Sequence, residues 1–555
     1  MTTEFAHDGA IIFNLLVAGV LTLVLGVVAL LLLQRAILRN MMRAGGHAFT
    51  PPADVRPRRT ADAPLAFDDA AAVGASMSNR LLWRHALAHS LAGLAFAAVA
   101  TVLLLRFGGM ELLPLRTAVV LWAHAWPTVL ILGLLVGRDR RLQSYIVLGY
   151  LGVLAIICGV AELRGTEPLP MFGVTVPGFV QPAIIWLLNA APSVFLLLFL
   201  NRTIRSIGPL VLLFVFVMLL GSHAATTLML FDTIRDSVVR IAIALNIDGG
   251  SILWIVQLIG ALVMLWPAWR CVIWLRDRYA AKRSSELLLT ADAIWLLQAL
   301  ILASSLYREK GALASLAGFL PWIAWRVTLH IAIRPTLKQA RERPPMRLLL
   351  LRVYGFGKRS RRLLDLLGTR WRLMGSIDLI AAPDLASRTV EPSTFLEFVR
   401  GRLARLFIKT PDDLRTRIAG IDDRPDPDAR FRINQLFCSD DMWKAAVTHL
   451  MGEASLVAMD LRGFGPHRQG CVYELETLLD TVPLDRLVFM IDWSTDRKGL
   501  EAILFAHWQR LTADSPNLAF AHPTLRLLDV GWSDISAVRQ LLAIAEQRPL
   551  VARTG

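Results

Sequence analysis

Two hydrophobic rhythms run along this chain. From residue 11 to residue 333, apolar runs recur at about the 20-residue length that crosses a bilayer's hydrocarbon. Beyond Arg347 the apolar runs shrink to strand length and alternate with amphipathic stretches of helix length. The first rhythm predicts nine membrane helices: Ile11–Leu33, Ala86–Leu105, Thr117–Val136, Gln143–Ala161, Val180–Leu200, Ile207–Phe231, Ile252–Leu275, Thr290–Leu306 and Ala312–Ile333. No basic residue precedes the first run and no small-residue cleavage pattern follows it. It therefore reads as a retained span and not a removed leader.

The second rhythm predicts strands at Leu348–Tyr354, Ile377–Ala381, Arg430–Phe437, Leu456–Leu461, Leu487–Ile491 and Leu525–Val530. Helices are expected between and after them, at Ser360–Trp371, Thr394–Phe407, Asp440–Met451, Gly470–Thr481, Arg497–Leu511 and Ser533–Gln547. Strand and helix in alternation specify a doubly wound, mostly parallel sheet covered by helices on both faces. The organisation is then a membrane domain over 1–333, a basic proline-bearing connector over 334–347, and an α/β domain over 348–555. Two further segments interrupt the pattern. Residues 34–85, rich in Ala, Pro and Gly, read as a flexible arm whose Arg56, Arg58 and Arg59 could dock on lipid headgroups or on the α/β domain. Asp412–Asp428 reads as an acidic surface insertion.

Charge sets the orientation. Only 19% of residues are charged, below the usual quarter, yet the net charge is +15. With the N-terminus outside, the inner loops 34–85, 137–142, 201–206 and 276–289 hold 17 basic residues, against 7 in the outer segments. That asymmetry places the α/β domain in the cytoplasm at the inner (plasma) membrane. It also accounts for the positive charge through the lipid bilayer alone, so no nucleic-acid partner is expected. The four cysteines form no C-x-x-C pair, so neither a zinc site nor a disulfide framework is signalled. His89, His124, His223, Asp292, Arg326 and His330 fall inside spans, where ionisable groups cost energy. Hydrogen bonding between helices is the expected role of His124 and Asn189, and an Asp292–Arg326 pair would join the last two helices. Pro127, Pro192 and Pro267 are expected to kink their spans. A transporter with a regulatory tail is a reading these residues leave open.

Candidate chemistry gathers where strands end. After the first strand, "YGFGKRSRR" supplies Gly355, Gly357 and Lys358 at the opening of a helix. Glycines admit a close phosphate, and a helix N-terminus offers free N–H groups and positive dipole. Ser360 stands where a dinucleotide fingerprint would have its third glycine, and Arg359 where a P-loop would have Ser or Thr. A plain tight turn is the competing reading. Asp384 follows the second strand, where a ribose-binding carboxylate could lie. After the strand at Leu456–Leu461, Asp460 and Arg462 lead through "GFGPHRQG" to a helix bearing Cys471 and Glu474 on one face. Glu476 is turned away from that face and expected in solvent.

The stretch "SLVAMDLRGFGPHRQGCVYELETLL" (455–479) resembles the third strand and following helix of TIR domains: a strand ending in Asp, a polar loop, then Cys and, three residues on, Glu-Leu. The resemblance implies a TIR-like fold for Leu348–Gln547. It also implies self-association through the α/β domain and, if enzymatic, NAD cleavage at Glu474 as a glycohydrolase. NAD or another nucleotide is the cofactor class implied, with Gly355, Gly357, Lys358, Asp460, Arg462 and Cys471 as its binding candidates. Equally, the domain could be a non-catalytic nucleotide-sensing or protein-interaction signalling module, with Glu474 complementing the helix dipole. "WRLMGSIDLIAAPDL" and "TVEPSTFLEFVRGRL" also look like a module that recurs in bacterial membrane proteins.

Overall fold

A computed structural model of the chain describes residues 20–40, 56–69, 76–107, 113–137, 139–171, 174–190, 202–229, 231–352, 357–381, 392–439, 442–531 and 534–547. Among them, eight helices are long and apolar enough to cross a membrane: Val20–Asn40, Met77–Phe107, Pro114–Val136, Arg140–Leu163, Ile207–Leu228, Gly249–Ala280, Glu286–Tyr307 and Leu313–Glu342. Of the remaining expected span, Val180–Leu200, the helix Gln181–Ala190 is described and the rest lies outside the described residues. Leu148, Ile156 and Trp254 are 64%, 66% and 69% exposed on these helices. Apolar surface of that extent is unfavourable against water and neutral against acyl chains.

Proline shapes two of the spans as expected. Pro127 begins a new helix after a break at Trp126, and Pro267 follows a break at Met264. Pro192 lies outside the described residues. The last two spans are joined by the expected ion pair, Arg326 Nη1 donating to Asp292 Oδ2 at 2.9 Å. His124 and Asn189 behave differently from the expectation: each bonds a carbonyl four residues back in its own helix, Val120 and Ile185. A short polar side chain reaches its own preceding turn sooner than a neighbouring helix.

The α/β lobe holds an eight-stranded sheet, every described pairing parallel. Its strands in chain order are β1 (Ala66–Asp68), β2 (Leu348–Arg352), β3 (Ile377–Ile380), β4 (Phe407–Ile408), β5 (Ile433–Cys438), β6 (Leu456–Asp460), β7 (Leu487–Ile491) and β8 (Thr524–Asp529). They lie in the order β1-β8-β7-β6-β2-β3-β5-β4. Leaving aside the short edges β1 and β4, this is 3-2-1-4-5-6, the order of dinucleotide-binding doubly wound sheets, and the order reverses between β2 and β6. The "LLLL" of β2 is buried on both sides, as a central parallel strand requires. Leu349 and Leu351 face the helices Trp443–Glu453, Gln469–Thr481 and Arg497–Trp508. Leu348 and Leu350 face Gly357–Arg370 and Asp534–Glu546, and through them the membrane helices. One hydrophobic core therefore runs from bundle to sheet.

Four expected segments differ. The connector 334–347 is mostly helix: the last span continues through Pro335 to Glu342 and enters β2 five residues beyond Arg343. The expected helix Thr394–Phe407 ends at Val399, because Gly401 adopts φ 69° and turns the chain into a short 3-10 helix and β4.

The acidic segment 412–428 is not a surface insertion throughout. It starts as the helix Pro411–Ala419, capped reciprocally by Thr410 and Asp413. It then turns back onto the bundle. Asp426, fully buried, holds Arg432 at 2.9 Å and Lys282 at 3.3 Å, and Lys282 also holds Asp422 at 2.8 Å. Ser285 donates to Asp428 at 2.6 Å, and His85 lies 2.8 Å from the Asp428 carbonyl. The segment's carboxylates thus face Lys282 at the end of a span and Arg432 before β5.

The arm 34–85 is ordered where it is described beyond Asn40. Ser76 opens the second span's helix ten residues earlier than expected. Residues 56–69 lie along the lobe, with Arg58–Arg59 antiparallel to Leu511–Thr512 and β1 added beside β8. Arg58 lies 3.5 Å from Asp480 and Arg56 lies 3.7 Å from Asp514, so the basic residues dock on the α/β lobe, one of the two expected sites.

Candidate functional site

The sheet's order reverses between β2 and β6, and the carboxyl ends of these two strands are where ligands of doubly wound folds are bound. Arg352 ends β2 and Asp460 ends β6, and the two are register partners. Both are buried. Asp460 receives Arg462 bidentately, Nε at 2.7 Å and Nη2 at 2.8 Å, while Arg462 Nη1 donates to Asp534 at 2.6 Å. Asp534 opens the helix Asp534–Glu546, where its charge also complements the dipole. Arg362, on the outer face of Gly357–Arg370, approaches Asp534 at 3.9 Å and is 66% exposed. The arrangement is a buried Asp–Arg–Asp chain beyond the ends of β2 and β6, with the exposed Arg362 near Asp534.

Glu474 lies on the sheet-facing side of Gln469–Thr481, beside Cys471 and Leu475, as its spacing predicts. It is 2% exposed. Burial pushes its carboxyl up to about 8, opposed by the Arg352 charge. Its Oε2 is buried with no hydrogen-bond partner among the described residues. At neutral pH the group is mostly protonated and enclosed by the core. Glu476 is not simply solvated. It pairs with Arg510 at 3.1 Å and approaches His507 at 3.6 Å, and His507 also lies 3.1 Å from Asp480. Burial works to lower the His507 pKa, yet these two carboxylates raise it on balance.

The sequence candidates therefore separate. Asp460 and Arg462 satisfy each other on the sheet face that carries Asp534–Glu546, while Cys471 and Glu474 lie on the opposite face, on Gln469–Thr481. Gly357 and Lys358 are the first described residues of the helix Gly357–Arg370. Gly355 and Asp384 lie outside the described residues. Arg362 belongs to the basic run that opens Gly357–Arg370 in the sequence, whereas Arg352 and Asp534 were not singled out. Arg352 had a legible signal, a single charge closing the all-leucine run of β2.

Comparison with known proteins returns nothing similar. No protein-family model, curated protein or solved structure matches the chain.

Proposed function

We propose that this protein is a membrane-anchored, cytosol-facing nucleotide-sensing module, with its ligand held at the β2–β6 crevice. The observation that carries the reading is one of position. The reversal of strand order at the end of β2, the described start of Gly357–Arg370 five residues on, and the exposed Arg362 near Asp534 support a ligand there. A phosphate there would meet backbone N–H groups and one guanidinium. The buried Asp460–Arg462–Asp534 chain would hold the strand ends beside it. The excess of basic residues in the inner loops supports the cytoplasmic side. The continuous core into the bundle supports relay of the bound state to the membrane.

The test is nucleotide binding by the full chain in detergent, followed by calorimetry and thermal unfolding with NAD and with ATP. At least one is expected to bind and stabilise. Arg362→Glu is expected to weaken it about tenfold to a hundredfold, the loss of one charged hydrogen bond. Absence of binding to both nucleotides would sink the proposal.

A TIR-type NAD-cleaving lobe is the second reading, favoured by the unpartnered Glu474 oxygen on the other face of the same sheet. A carboxylate that stabilises a ribosyl cation must be ionised and exposed to it. Glu474 is neither in this conformation, so sensing ranks above cleavage. Nicotinamide release by the concentrated protein, lost in Glu474→Gln, would reverse that ranking.

A further inference from the structure

We propose that a second crevice, between the end of the Leu265–Ala280 helix and β5, binds the phosphodiester headgroup of an anionic, hydroxyl-bearing phospholipid. The crevice measures about 570 Å³, within the range of small-molecule sites. It is formed by three elements. One wall is the last turn of the Gly249–Ala280 span, the second is β5, and the third is the segment around Arg400 and Arg417. It does not use the β2–β6 rim, so it stands independently of the nucleotide reading.

Its charge favours an anion. Arg276, Arg400, Arg417 and Arg432 line it against three carboxylates. Asp277 is compensated by Arg276, Asp422 by Lys282 and Arg432 by Asp426, so the excess positive charge of the crevice rests on Arg400 and Arg417 against Glu397. Guanidinium groups match a phosphate's oxygens in pairs, which a scatter of lysines would not do. A second observation points to a ligand with hydroxyls. Gln435 on β5 is more than nine-tenths buried and lines the crevice, and its Oε1 has no hydrogen-bond partner among the described residues. A buried acceptor left open costs roughly 1–3 kcal/mol, and a headgroup hydroxyl would satisfy it.

Depth selects the lipid over a soluble ester. The wall residues 276–280 end a candidate span. Two residues before them, Trp274 is 57% exposed with the Arg278 guanidinium 4.9 Å over its ring. An exposed tryptophan with an arginine is the pattern of the bilayer interface. Basic pockets at that level, on the side carrying the lobe, capture anionic headgroups.

The experiment places the full chain in nanodiscs of phosphatidylcholine, with and without a phosphatidylglycerol fraction, and reads lipid retention by native mass spectrometry alongside thermal unfolding. Phosphatidylglycerol is expected to be retained and to stabilise. Arg400→Gln and Arg417→Gln should each reduce retention about fivefold, the equivalent of about 1 kcal/mol per basic group at an anionic surface. Arg415→Gln on the solvent face, where Arg415 is 80% exposed, should change nothing. Gln435→Leu should abolish the preference for phosphatidylglycerol over phosphatidic acid while leaving phosphate binding. Equal stabilisation by glycerophosphoglycerol, the deacylated phosphodiester, in detergent would keep the phosphodiester site and assign it to a soluble ester. No preference for phosphatidylglycerol, or an equal loss in Arg415→Gln, would overturn the site.

Discussion

Glu474 shows what a single buried carboxyl costs. Unfolded, it would lose its proton near 4.5; folded, burial holds the proton up to about 8. Between those values the native state keeps a proton that the unfolded state gives up, so this residue's contribution to stability falls as pH rises through the window. Glu474→Gln mimics the protonated form and has no such slope. The variant should gain stability relative to the parent as pH rises from 5 to 8, by on the order of a few kcal/mol. Denaturation of the two proteins at several pH values checks this, and parallel pH profiles would show that the carboxyl is ionised in the native state. The residue's address on the helix was legible in the sequence, because Cys471, Glu474 and Leu475 share a helical face. Its protonation was not, because that depends on Arg352 and on β2, more than a hundred residues away along the chain.

At the scale of elements, the five longest strands and all the long helices of the lobe follow from apolar periodicity, with ends shifted by a few residues. The short edges do not. β1 is three residues, "AFD", in a stretch without periodicity, and is held by tertiary contacts. Trp508 Nε1 donates to the Ala63 carbonyl at 2.8 Å, Phe67 meets Phe505 edge-on at 5.4 Å, and Leu65 is buried in the far layer of the core. Leu65→Ala is expected to cost roughly 2–5 kcal/mol. The loss should show as faster hydrogen exchange in β8, with β3 and β5 unchanged. Unaltered exchange in β8 would mean that the strap contributes nothing to the sheet.

At the scale of the molecule, bundle and lobe meet through buried charge as well as apolar core. Asp426 binds Lys282 at the end of one span and Arg432 beside β5. Arg372 reaches Glu286 at 3.3 Å, and Glu546 accepts the backbone N–H groups of Met77 and Ser78 at the start of the second span. Removing one member of a buried pair leaves an uncompensated charge, at about 3–5 kcal/mol. Asp426→Ala should therefore loosen the lobe from the bundle, seen as new trypsin cleavage at Arg424 and Arg432 with the sheet still protected. Cleavage no faster than in the parent would show that the apolar core alone couples the two.

The sequence by itself determined that the chain has membrane-length apolar helices and a parallel-stranded lobe, because periods of hydrophobicity are local properties of the chain. It also placed Asp460, Arg462 and Glu474 at a strand end and a helix start. Only the tertiary structure decided that Asp460 and Arg462 neutralise each other and that the acidic segment after Pro411 ends in buried carboxylates, Asp426 and Asp428, docked on the bundle. It alone decided that an arm from between two spans completes the sheet. Each of these depends on which distant charge or edge a segment meets, and no periodicity along the chain encodes that meeting.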